Sequence, residues 1–144
     1  MPALVNWPGH VPGGKTIDQI LMTADILPTV CQVTGAQVPA DRTIDGRNIW
    51  PVLTEGVPSP HDSLCWSEGP QLAIRRGKWK LVLNGVTHDG TPEGDRPLQG
   101  EDAVFLSNVE EDPGEKRNLR REHPEIADDL QTRLEEWRKS VESN

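Results

Sequence analysis

At 144 residues the chain is long enough for a core of its own, and Leu, Ile, Val and Phe make up about 23% of it, above the roughly 20% below which high net charge signals disorder. The formal net charge of −8 and pI near 4.9 argue against a nucleic-acid partner, because a phosphate backbone selects basic patches and only Arg75-Arg76-Gly77-Lys78 and the run Arg117 to Arg121 cluster positive charge. No run approaches the roughly 18 apolar residues of a membrane span, no signal peptide opens the chain, and 13 prolines with 13 glycines point to many turns rather than a helical bundle.

Ala3-Leu4-Val5, ending at Trp7-Pro8-Gly9, predicts a short strand buried on both faces. A chain that opens one residue before a core strand is expected to be cut from a larger domain. Asp25 to Gly35 predicts a helix with both ends marked. Asp25 is positioned to cap the first free N–H groups, Pro28 falls within the first turn, and Gly35 supplies a left-handed close. Ile26, Leu27, Val30 and Val33 form its apolar stripe, which is expected to face a core. A strand followed by a helix is a piece of an α/β sheet. Residues 36–62 read as connective, with a turn at Asp45-Gly46 and a short helix over Asn48 to Thr54 closed by Gly56. Pro58 and Pro60 place the domain boundary so that residues 1–57 and 58–144 form separate parts.

Beyond the boundary the period changes. Ser63 to Trp66 and Gln71 to Arg75 are strand-like. In Lys78-Trp79-Lys80-Leu81, Trp79 and Leu81 alternate with the two lysines, and Arg76-Gly77 fits a tight hairpin. Asn84 to Asp102 reads as a polar loop and Ala103 to Leu106 as a further strand. The last element is the clearest: Ile126, Leu130, Leu134, Trp137 and Val141 share one helical face while charged residues fill the other. That is a surface helix packed by one stripe.

Several short motifs then fall in a telling order: Trp7-Pro8-Gly9, Asp25-Ile26-Leu27-Pro28-Thr29, Gly35, Asp45-Gly46, Ala73-Ile74-Arg75 with Gly77 and Trp79-Lys80-Leu81, and Asp112-Pro113-Gly114-Glu115 with Asn118-Leu119. Each alone is unspecific. Together, covering nearly the whole chain, they resemble the C-terminal third of sulfatases, within the alkaline-phosphatase-like superfamily. Ser107 stands where such families usually place an aromatic, and His61 lies near a usual arginine. The resemblance implies that residues 1–57 end a large α/β catalytic domain. It implies that residues 58–144 form a small domain with a four-stranded antiparallel sheet and a C-terminal helix.

Sulfate ester hydrolysis needs a nucleophile, a cation to hold the sulfate oxygens, and acid–base groups for the leaving alcohol. The resemblance implies a formylglycine matured from Cys-x-Pro/Ala-x-Arg, and calcium or magnesium held by aspartates and an Asp-Asn pair upstream of the Trp-Pro-Gly strand. Cys31 is followed by Gln-Val-Thr-Gly and Cys65 by Trp-Ser-Glu-Gly, so neither fits that motif. Both are expected to be buried free thiols, with no zinc spacing around them. Asp89 to Gly100 is too poor in acidic positions for a calcium loop, and Asp128-Asp129 suits a helix start. His10, His61, His88 and His123 have no serine or aspartate elbow to make a triad. The chain is therefore expected to hold no catalytic and no metal-binding residue and to be inactive alone.

Trp66, Arg75 and Arg76 are the candidates for contact with a sulfated small molecule or glycan at the rim of an intact enzyme, by ring stacking and bidentate gripping of a sulfate. Core packing of the tryptophan and solvation of the arginines is the competing reading. A phosphate- or phosphonate-ester hydrolase of the same superfamily, or a free-standing binding module, are the rival functions. Periplasmic, secreted and lysosomal settings all stay open. Isolated, the chain is expected either to pair with another copy through Ala3-Leu4-Val5 or to hold residues 1–57 loosely.

Overall fold

Alternating side chains from Leu64 onward build a sheet. The computed structural model, which describes residues 3–87 and 96–142, places four antiparallel strands there: β1 (Leu64–Glu68), β2 (Gln71–Arg76), β3 (Trp79–Leu83) and β6 (Val104–Asn108), in the order β1-β2-β3-β6. A two-residue hairpin joins β2 to β3, with Arg76 opposite Trp79. Gly77 makes that turn at φ 55°, a conformation costly for any side chain with a Cβ. Between β3 and β6 lies a two-stranded pair, β4 (Val86–Thr87) with β5 (Arg96–Pro97), where the sequence suggests only a polar loop. Most of the segment weighed as a calcium loop, and His88, lie outside the described residues.

Directly opposed residues of an antiparallel pair share a face. Ile74 is opposite both Cys65 and Leu81, and Leu81 is opposite Leu106, so these side chains form one apolar face. Helix α3 (Pro124–Glu142) covers it with Ala127, Leu130 and Leu134, and the core is Leu72, Ile74, Leu81, Leu106 and those three residues. Ile126 and Trp137 flank this core, while Val141, at the end of the stripe, is exposed. This four-stranded sheet with its C-terminal helix is the architecture expected.

The chain divides into two compact units, Met1–Asp62 and Ser63–Asn144. The first extends past the 57/58 break because Ser59 Oγ donates to the Ile20 carbonyl at 2.7 Å and Ser59 N to Gln19 Oε1 at 3.1 Å. A 3-10 turn, Thr23–Asp25, runs into helix α1 (Ile26–Thr34), which Gly35 closes. Helix α2 (Trp50–Glu55) follows, with Val52 buried.

Two expectations for the first unit are corrected. Ala3-Leu4-Val5 is not a buried strand: it has no regular structure, and Leu4 is 94% exposed. No neighbouring strand among the described residues pairs its N–H and C=O groups, so a two-sided strand has nothing to form against. The stripe of α1 also faces the other way. Pro28, Thr29 and Cys31 are buried, whereas Ile26, Leu27 and Val30 are 60%, 45% and 51% exposed. Polar tethers choose the inward face: Thr29 Oγ1 donates to the Asp25 carbonyl at 2.6 Å and accepts from Ile49 N at 3.0 Å.

Candidate functional site

In the first unit the Asp25 carboxylate is fully buried and held by several partners. Oδ2 accepts from Met22 N at 2.8 Å; Oδ1 accepts from Arg47 N at 2.8 Å and lies 2.8 Å from His61 Nε2, itself nearly buried. The side chain makes no cap bond to α1, so it does not play the capping role read from sequence. It closes a loop across more than thirty residues instead. Gly46 lies beside it: a Cβ there would come within 2.0 Å of the Ala24 carbonyl oxygen, so the chain passes only as glycine. The Asp25-to-Thr29 and Asp45-Gly46 motifs thus form one structural joint. Nothing short-range in the sequence marks His61 as a member.

A second joint lies on the outer edge of β6. Asn118 Oδ1 accepts from Leu106 N at 3.1 Å, its Nδ2 donates to the Val104 carbonyl at 3.1 Å and to Asp102 Oδ1 at 2.8 Å, and Leu119 N donates to the Leu106 carbonyl at 2.8 Å. Asp112 Oδ2 accepts from Lys116 N and Arg117 N at 2.6 and 3.0 Å, making the intervening turn. Glu115, at φ 49°, accepts from Lys80 Nζ at 2.6 Å and from the fully buried Ser107 at 3.4 Å. The Asp112-to-Leu119 motif is accounted for by backbone closure, with no reacting group.

The three rim candidates do not converge. Trp66 is opposite Ala73 and Arg75 is opposite Leu64, which puts Trp66 and Arg75 on the sheet face turned away from α3. Trp66 is exposed, and Arg75 Nε donates to the Gly77 carbonyl at 3.0 Å. Arg76, next in sequence, points to the α3 side, where its Nη1 lies 3.6 Å from Asp129 Oδ2. Asp129 is also bound by Arg133 at 2.9 Å, and the Arg133 hydrogen bond, with some help from Arg76, holds its carboxyl below the usual carboxylate range.

The two cysteines are free thiols. Cys31 is buried with Sγ 3.9 Å from the Gln37 carbonyl, and burial pushes the Cys65 thiol up to about 11. A nucleophilic cysteine needs the opposite shift. The cation and formylglycine implied by the resemblance do not fit the donors present. Asp25 is filled by N–H donors, Asp129 is paired with arginines, Asp112 closes a turn, and neither cysteine has an arginine two residues beyond the required Pro or Ala. Among the described residues no group of three or more His, Cys, Asp or Glu side chains is placed to hold a metal ion.

No family model matches the chain. Over 139 residues it is 34% identical to arylsulfatase A of Bos taurus, a match covering 88% of this chain and 27% of that protein. Over 150 residues it is 30% identical to the steryl-sulfatase of Mus musculus, covering 89% and 24%. The crystal structure of Ps i-CgsB in complex with k-i-k-neocarrahexaose superposes with a TM-score of 0.67 at 25% identity, covering 91% of this chain and 27% of that one. The chain thus spans about a quarter of the length of the relatives it matches.

Proposed function

Because this chain belongs to the sulfatase family and corresponds to its C-terminal portion, we propose that it completes an enzyme hydrolysing sulfate esters, either of carbohydrates or of aryl and alkyl alcohols. The observation that carries this reading is the match to arylsulfatase A along 88% of the chain. The oligosaccharide bound to Ps i-CgsB favours a sulfated glycan as substrate.

In this reading the chain supplies structure and rim rather than chemistry. The nucleophile, formylglycine and divalent cation belong to the polypeptide outside the matched quarter. The raised Cys65 thiol, the buried Cys31 and the hydrogen-bonded Asp25 carboxylate support that division. Trp66 and Arg75 are the rim residues retained from the original three, since they share a face and Arg76 does not. An indole stacks on a sugar ring, and the two terminal nitrogens of Arg75 remain for a sulfate beyond the Nε bond to Gly77.

The test has two parts. The isolated chain, given a chromogenic aryl sulfate with calcium or magnesium, should show no turnover above buffer. Turnover that co-purifies with it and survives Cys31→Ala and Cys65→Ala would put the chemistry on this chain. The longer polypeptide that contains it should release sulfate from an aryl sulfate or a sulfated oligosaccharide. Hydrolysis of phosphate or phosphonate esters without sulfate release would replace the reading.

A further inference from the structure

Two neighbouring positions at the end of β3 are each held to a narrow choice of residue by the fold. Asn84 sits at φ 52°, in the left-handed region that asparagine tolerates better than most side chains with a Cβ. Its backbone N donates to the Ala103 carbonyl at 2.8 Å, and its Nδ2 donates to the Pro70 carbonyl at 3.2 Å. It thereby ties the β1–β2 turn and the approach to β6 to the end of β3. Gly85 is buried, and a Cβ there would lie 2.7 Å from Val82 Cγ1 and 3.3 Å from Leu98 Cδ1, so a larger residue would have to push Val82 aside. The fold thus sets a side-chain amide directly before a glycine nitrogen, the pairing in which no Cβ hinders that nitrogen from reaching the amide carbon. Asn6, Asn48, Asn108 and Asn118 precede tryptophan, isoleucine, valine and leucine instead.

We propose that Asn84 is a modification site: its amide is the first this chain loses by spontaneous deamidation, and the product unties the β1–β2 turn from the end of β3. Gly85 N attacks Asn84 Cγ, the Cγ–Nδ2 bond breaks, and ammonia leaves carrying the proton given up by Gly85 N. One water molecule then opens the five-membered imide. Addition at Cγ leaves aspartate; addition at the Asn84 backbone carbonyl leaves isoaspartate, with the chain running through Cγ. Nothing is oxidised or reduced, and solvent supplies the water because Asn84 is exposed. The Nδ2 bond that restrains the amide is itself exposed, so it opens locally without unfolding the sheet. Among the described residues no acceptor holds Gly85 N. By contrast, Asn108 is buried and the amide of Asn118 is held at both ends by β6. Either product sets a carboxylate, an acceptor only, against the Pro70 carbonyl where Nδ2 donated, so the tether becomes a repulsion. The chemistry stands independently of the sulfatase reading.

The test incubates the full chain at physiological temperature in neutral and mildly alkaline buffers and maps its peptides by mass spectrometry. The peptide carrying Asn84 should gain about one mass unit before any other asparagine does, and should resolve into aspartate and isoaspartate forms. The gain should be several-fold faster in the alkaline buffer, because the attacking nitrogen must shed its proton. Asn84→Gly, which keeps the left-handed turn, should abolish the gain in that peptide. Earlier loss of amide from Asn6 or Asn48 overturns the assignment, as does an Asn84 that survives in the folded chain while the urea-unfolded chain deamidates there. Asn84→Asp stands in for the product. It should speed amide exchange several-fold in the turn of residues 69–71 and leave Leu130 unchanged. Exchange in that turn equal to the parent's would overturn the claim that deamidation unties it.

Discussion

Asp25 was legible as a helix-start residue, but its partners were not, because Arg47 N and the His61 ring lie far along the chain and meet it only in three dimensions. Removing the Asp25 side chain strips the Met22 and Arg47 N–H groups of their acceptor and the nearly buried His61 ring of its partner, at about 1–3 kcal/mol. Asp25→Ala should therefore destabilise the first unit by that order in a denaturant titration, well beyond a substitution of exposed Asp41. Cys65 makes a second, pH-resolved prediction. With its thiol pushed up to about 11, little thiolate exists at pH 8, so carboxamidomethylation of the folded chain should be slow there and accelerate as pH climbs toward 11. In the unfolded chain the thiol returns to about 8.5. Because the folded state keeps its proton longer, this residue's contribution to stability is intact below that range and falls as pH rises through it. Equal alkylation rates for folded and unfolded chain at pH 8 would contradict the shielding of Cys65, which is half-buried rather than fully buried as the sequence suggests.

At the scale of elements, α3 and α1 show what periodicity reveals. Both stripes are present in the sequence. That of α3 lands on a sheet within the same unit, so the sequence names its core residues, apart from Ala127, whose small side chain gives little signal. That of α1 does not say which side turns inward; Thr29 and Asp25 turn the opposite side in, and Ile26, Leu27 and Val30 stay exposed. Leu130→Ala or Leu134→Ala should cost about 2–5 kcal/mol, and Glu135→Ala no more than about 0.5 kcal/mol; similar costs for both in urea titrations would reverse the assigned faces. Asn118 offers a sharper probe of the β6 edge. Asn118→Ala strips partners from Leu106 N and the Val104 carbonyl and should cost about 1–3 kcal/mol, with faster amide exchange at Leu106 as the local signature.

For the whole molecule, every residue of the sheet–helix core comes from the second unit. Residues 63–144 expressed alone should consequently unfold in one cooperative transition; a non-cooperative melt would show that they depend on what precedes them. Pro58 and Pro60 suggest a break in the sequence, but the bonds from Ser59 and His61 within the unit Met1–Asp62 have no sequence signature. The small β4–β5 pair was hidden for a similar reason, since two-residue strands are shorter than any alternation can register. The rim candidates were separable only by register, because adjacent Arg75 and Arg76 look alike in a sequence and point apart in a sheet. The edge sealed by Asn118 has a last consequence, for polymer growth. The outward groups at Val104, Leu106 and Asn108 are already taken, the last by Asp112 N at 2.8 Å. A filament grown by sheet extension needs two receptive edges on every subunit. This sheet offers at most one, so any such growth ends at a pair.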